Sequence, residues 1–150
     1  MPAGKVIDTD HGWQRIKRDI GKLNGHQVKI GLWGSEMAEG VSVVDYAVYN
    51  EFGTSRIPAR PFMAHTYDTQ KAQVNKFIDF NVGLMEDGKS TPDRVLRVLG
   101  EDYQERVRKV IRDAKNWAEP NAPSTISAKG SSSPLIDHGR MINAVRYEVS

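Results

Sequence analysis

Thr91-Pro-Asp-Arg-Val-Leu-Arg-Val-Leu-Gly100-Glu-Asp-Tyr-Gln-Glu-Arg-Val-Arg-Lys-Val110 carries the clearest structural signal in the chain. Leu96, Leu99, Tyr103, Val107 and Val110 recur at spacings of three and four, which sets them along one stripe of a helix. Its start is marked three times over. Thr91 has a hydroxyl suited to capping, Pro92 lacks only an N–H that would be unsatisfied anyway, and Asp93 complements the dipole. The pattern predicts a helix running to about Lys115. Gly100 interrupts it at a cost of roughly 1 kcal/mol relative to alanine, which predicts a close packing contact on that side.

On either side of this helix the period changes. Val28, Ile30 and Leu32 alternate with Lys29, Gly31 and Trp33, and Val145, Tyr147 and Val149 alternate with Ala144, Arg146 and Glu148, which predicts two half-buried strands. Two strands alone do not make a stable sheet in water. The expectation is a third strand from residues 37–44, or one added by a neighbouring molecule. Trp13, Ile16, Ile20 and Leu23 predict a helix over 10–23, capped by Thr9 or Asp10 and followed by Gly25. Its narrow apolar stripe suits packing on its own domain or on another subunit.

Tyr46-Ala-Val-Tyr-Asn-Glu-Phe-Gly-Thr54 reads as a short helix opened by the capping pair Ser42 and Asp45 and stopped by Gly53 in a left-handed cap. Ile57-Pro-Ala-Arg-Pro-Phe-Met63 comes after it, with two φ angles fixed by Pro58 and Pro61. A helix from Phe62 to about Met85 is next, its polar front from Asp68 to Gln73 exposed or facing a partner. Residues 117–134 are irregular, with Pro120, Pro123 and Pro134 and the run Lys129-Gly-Ser-Ser-Ser133. A loop of this length is characteristically functional or ordered on binding, so 117–137 is expected to be an extended arm. The fold class is α+β over one domain, 1–150: a small antiparallel sheet packed by several helices, with a long irregular loop before the C-terminal strand.

Bulk properties narrow the function. The 150 residues are 39% hydrophobic and 27% charged, as in an ordinary globular domain, and a net charge of +2 does not by itself argue for nucleic acid. Cysteine is absent, so disulfides and thiolate metal sites are excluded and a reducing compartment is expected. No apolar run approaches the length of a membrane span, and the first residues lack the apolar core of a signal peptide. His11, His26, His65 and His138 are scattered without metal-ligand spacing, so neither metal nor cofactor is expected.

Glu36, Glu39, Asp45 and Glu51 offer in principle a carboxylate pair for glycan hydrolysis, against the plainer reading of a solvated helix entry. Arg106, Arg108, Lys109, Arg112 and Lys115 offer a basic face for DNA. There Glu101, Asp102, Glu105 and Asp113 dilute the field, and a helix C-terminus accounts for part of the cluster. No Gly-x-Ser-x-Gly nucleophile elbow is present. What remains is a set of interface anchors, since Trp, Tyr and Arg dominate hot spots. The candidates are Tyr46, Tyr49, Phe52, Arg56, Arg60, Phe62, Trp117, Arg108 and Arg112. Among them Phe52 is expected to be buried, and Arg56 and Arg60 to meet a partner's carboxylates.

The Tyr46–Thr54 stretch with Ile57–Phe62 resembles a motif of small morphogenesis proteins of tailed bacteriophages: head–tail joining, tail-completion or neck proteins. A second block has Trp117, Pro120, Ser124-Thr-Ile126, Lys129-Gly130, Pro134-Leu-Ile-Asp137 and Gly139-Arg-Met141, and the two cover about a third of the chain. The resemblance implies a non-enzymatic α+β virion component that forms or joins a ring, commonly six-fold. It would contact a connector or stopper on one side and a tail-tube or terminator protein on the other, and meet DNA only as it passes through the lumen. It also implies assembly in the host cytoplasm and then residence in the virion. Related motifs occur in tail terminators and minor tail proteins, which form the alternative.

Overall fold

The computed structural model describes residues 7, 9–34, 37–38, 40–136 and 139–150. The chain is α+β, in the order α1 (Trp13–Leu23), β1 (Val28–Leu32), β2 (Met37–Ala38), β3 (Val41–Ser42), α2 (Val43–Phe52), α3 (Phe62–Glu86), α4 (Pro92–Arg112), a 3-10 turn at Ala114–Asn116, α5 (Pro123–Lys129), α6 (Arg140–Ala144) and β4 (Val145–Val149).

α4 organises the rest. Its stripe buries Val95, Leu96, Val107, Val110 and Ile111, and the Thr91 hydroxyl accepts the Arg94 amide at 3.3 Å as the cap the sequence predicts. α3 lies against it as a long hairpin arm, and the β1–β4 sheet packs on it as well. A Cβ on Gly100 would run into the ring of Tyr147, so the helix tolerates its glycine because the strand lies there. Two polar stitches fix strand to helix. Tyr147 N–H donates to Gln104 at 3.1 Å, and the Arg108 guanidinium donates to the Val145 carbonyl at 2.9 Å.

β1 and β4 pair antiparallel, with Val28 opposite Val149, Ile30 opposite Tyr147 and Leu32 opposite Val145. The ladder continues one residue further, where Gln27 and Ser150 exchange amide bonds of 2.8 and 3.0 Å. The third strand expected from residues 37–44 does not join them: β2 and β3 pair only with each other, Met37 opposite Ser42. The sheet is stabilised instead by burying one face on α4, which meets the same need for apolar cover. The core gathers Val43, Ala47, Phe62, Val107, Ile111, Leu135, Met141 and Val145 from α2, α3, α4, α6, β4 and the segment before α6.

Residues 117–134, read as irregular, contain the short helix α5, opened by Pro123 and closed by Gly130 in the left-handed region. The segment is tied to the body at both ends, by Trp117 and by the buried Pro134 and Leu135. Among the described residues no helix is long and apolar enough to cross a membrane.

Candidate docking corner

The turn between α2 and α3 is built from the residues the sequence singles out. Ser42 caps α2, its hydroxyl accepting the Asp45 amide at 3.0 Å and donating to the Asp45 carboxylate at 2.8 Å. Gly53 ends the helix at φ +74°, ψ 169°. The φ is positive as predicted, but the residue is extended rather than in the left-handed helical cap. A Cβ there would lie 2.9 Å from the Ala59 nitrogen and 3.1 Å from the Ile57 carbonyl oxygen, so the returning loop passes where any other side chain would stand. Thr54 pins that loop: its amide donates to the Ile57 carbonyl at 2.8 Å, and its hydroxyl accepts the amides of Arg56 and Ile57.

Two side chains of α2 then fix the loop's return and the start of α3. Glu51 accepts the amides of Met63 and Ala64 at 2.9 and 3.0 Å, a carboxylate on the open N–H groups at the start of α3, where the dipole favours it. Asn50 is buried, donating to the Tyr46 carbonyl at 2.8 Å and accepting from Arg60 at 3.4 Å. Arg60, only 6% exposed, donates Nε to the Glu119 carbonyl at 2.7 Å and Nη2 to the Pro120 carbonyl at 3.1 Å. Burial pushes this guanidinium below its ordinary pKa, against the opposing pull of Tyr46 and Glu119.

Arg60 therefore does not reach outward to a partner's carboxylate; it clamps the 117–120 segment of its own chain. A planar guanidinium satisfies two backbone carbonyls that the loop would otherwise leave open. Phe62, another interface candidate, is 1% exposed and belongs to the core. Trp117 is half-buried, its indole N–H donating to the Val110 carbonyl at 2.8 Å, with His65 stacked on it at 4.2 Å between centroids. This stack forms one wall of a cavity of about 300 Å³ that also takes in Arg106, Lys109 and Asp113.

Phe52 reverses the expectation for it: it is 78% exposed. The residue before a helix-ending glycine turns outward here because Val43, Ala47 and Asn50 form the buried face of α2, and position 52 lies opposite them at 100° per residue. Val48 and Tyr49 are exposed beside it, Arg56 is exposed on the loop, and Tyr46 packs against the core. The outward surface of the corner is thus Val48, Tyr49 and Phe52, while Arg60, Asn50 and Glu51 are its internal framework.

The rival sites fare differently. Asp45 and Glu51 are committed to helix termini, and Glu36 and Glu39 lie outside the described residues, as does His138. Among the described residues no group of three His, Asp or Glu could hold a metal ion. On α4, Arg106 pairs with Asp102 at 2.6 Å, Arg112 pairs with Glu105, and Arg108 turns in to β4. The three guanidiniums therefore do not present one common face. Sequence reasoning missed the roles of Asn50 and Glu51, although two polar residues just before the Phe-Gly stop carry the signal of a built turn. Comparison with protein-family models, with curated proteins and with solved structures gave no match.

Proposed function

We propose that the chain is a structural component of a tailed-phage virion. In this reading it acts at the head–tail interface in the neck or in tail completion, and assembles by protein–protein contacts into or onto a ring. The observation that carries the reading is the junction at Arg60. Its guanidinium, from the Ile57–Phe62 block, is bonded to the carbonyls of Glu119 and Pro120, in the Trp117–Met141 block. Arg60 thereby joins the two blocks that resemble phage morphogenesis proteins, and beside this clamp α2 presents Val48, Tyr49 and Phe52 outward. A junction of this kind holds a shape for docking.

Electron microscopy of particles assembled without this chain tests the proposal. Full heads beside separate, complete tails are the expected outcome. Overlong tails would move the chain to a length-terminating station, and normal joined particles would remove it from the neck altogether.

A further inference from the structure

α1 docks in an unexpected orientation. Its periodic stripe is Trp13, Ile16, Ile20 and Leu23, yet Trp13 is 61% and Ile20 47% exposed, while Asp19 is buried. The helix is held by Arg15 and Asp19, with Ile16 and Leu23 half-buried beside them. Arg15 donates to the carbonyls of Met85 and Glu86 at the end of α3 and pairs with Asp19 at 3.5 Å. Once that contact is made, Trp13 and Ile20, seven residues apart and therefore on one line, face away from the chain's own core. Lys17 borders them, its ammonium 5.8 Å from the Trp13 ring.

α2 presents the counterpart. Val48, Tyr49 and Phe52 are exposed, and Asp45, also exposed, lies among them on the same side of the helix. The charges of the two elements are opposite. On the outward sides α1 presents Lys17 beside Trp13, and α2 presents Asp45 beside Phe52 with no basic residue in the helix, while Arg15 and Glu51 are engaged within the chain. α1 packs on α3 and α4, whereas α2 packs on α3, α6, β1 and β3.

We propose that these two faces meet between copies of the chain: Trp13, Ile20 and Lys17 of one copy on Phe52, Val48 and Asp45 of the next. The inference rests on the reading that the chain works by assembling, and it names the surfaces. Because the faces differ, the contact is head to tail, the kind that closes into a ring or runs on as a filament. Aromatic anchors at the centre with an opposite-charge pair at the edge match the anatomy of a specific interface.

The chain has no cysteine, so engineered thiols report contacts without background. Gly21→Cys lies on exposed α1 backbone where nothing approaches within 4 Å, and Val48→Cys lies on the α2 face. Full-length proteins carrying one substitution each are mixed and treated with a short bismaleimide, and circular dichroism checks that both are folded. A covalent dimer from the mixture, absent from either variant alone and lost when Trp13→Ser is added, is expected. Dimers formed equally by one variant alone would show like meeting like and overturn the proposal. Native mass spectrometry separates the remaining failures. Oligomers without the mixed cross-link overturn these surfaces and leave the assembly reading standing. Monomers throughout, with particles joining normally in the chain's absence, overturn both.

Discussion

Arg60 shows how a residue can be recognised in sequence and still be misplaced. An arginine between two prolines, next to exposed aromatics, has the composition of an interface anchor. What the composition does not carry is the position of Glu119 and Pro120, about sixty residues away, whose carbonyls claim the guanidinium. Hydrogen bonds to a charged donor contribute about 1.5–3 kcal/mol each at most. Arg60→Ala also leaves two loop carbonyls without their donor, so a loss of about 2–4 kcal/mol in a urea melt is expected. Arg60→Lys should recover only part of it, because an ammonium lacks the planar fork. A loss no larger than for the exposed Arg56→Ala would mean that the clamp is dispensable. Gly100 was legible for the opposite reason: a helix-weakening residue in a strong helix already implies a neighbour. Gly100→Ala should gain about 1 kcal/mol from propensity alone, but the Cβ would run into the Tyr147 ring. Overpacking costs about 1–3 kcal/mol, so net destabilisation is expected. Removing the ring with Tyr147→Ala should relieve it in a double-mutant cycle.

At the scale of the element, periodicity located α1, β1, α4 and β4, because each keeps a regular apolar stripe or alternation, whereas α2 and α3 were marked by their ends, at Ser42 with Asp45, Gly53 and Pro61. It did not give the direction in which α1 faces. An apolar stripe normally predicts the docking side, and here the helix is turned so that Ile16 and Leu23 stay half-buried, Trp13 and Ile20 face outward, and Arg15 reaches the last carbonyls of α3. α5 was not legible because proline-rich, serine-rich sequence resembles loop, and its few residues are too short for a periodic signal. The start of α1 offers a pH test. The Asp10 carboxylate accepts the amides of Gly12, Trp13 and Gln14 at 2.9, 2.5 and 3.2 Å. Desolvation works to raise its pKa, but the three amide bonds together, helped by Lys17, hold it below the ordinary value of 3.8. A lowered carboxyl favours the folded helix end at all pH above the unfolded value and loses that effect as pH falls through the folded one. The amides of Gly12 to Gln14 should therefore shift and lose protection only under acid conditions, below about pH 4. In Asp10→Ala they should be unprotected at neutral pH, with no acid transition of this origin. An acid transition at these amides that survives in Asp10→Ala would assign it to another group.

For the molecule as a whole, the strands and the long helix were enough to name an α+β class, while the closure of the sheet was not. Nothing in residues 37–44 says that they will pair with one another instead of extending β1. The same whole-molecule balance bears on how copies would be held together. The net charge is only +2, so neither long-range attraction nor repulsion dominates, and an exposed pair such as Lys17 with Asp45 is worth about 0.2–1 kcal/mol. Burying aromatic area contributes about 25 cal/mol per Å², and Phe52 and Trp13 are the most exposed aromatic side chains on the two proposed faces. The apolar term should therefore decide affinity and the charged pair orientation. Raising salt from about 0.1 to about 1 M, where the screening length falls to about 3 Å, should weaken head-to-tail association by less than about fivefold. Phe52→Ser should weaken it by about tenfold or more, the equivalent of about 1.4 kcal/mol. Sedimentation velocity on the two samples decides the matter. If salt dissociates the assembly while Phe52→Ser leaves it intact, polar contacts elsewhere hold the copies together, and the α1–α2 pairing is wrong.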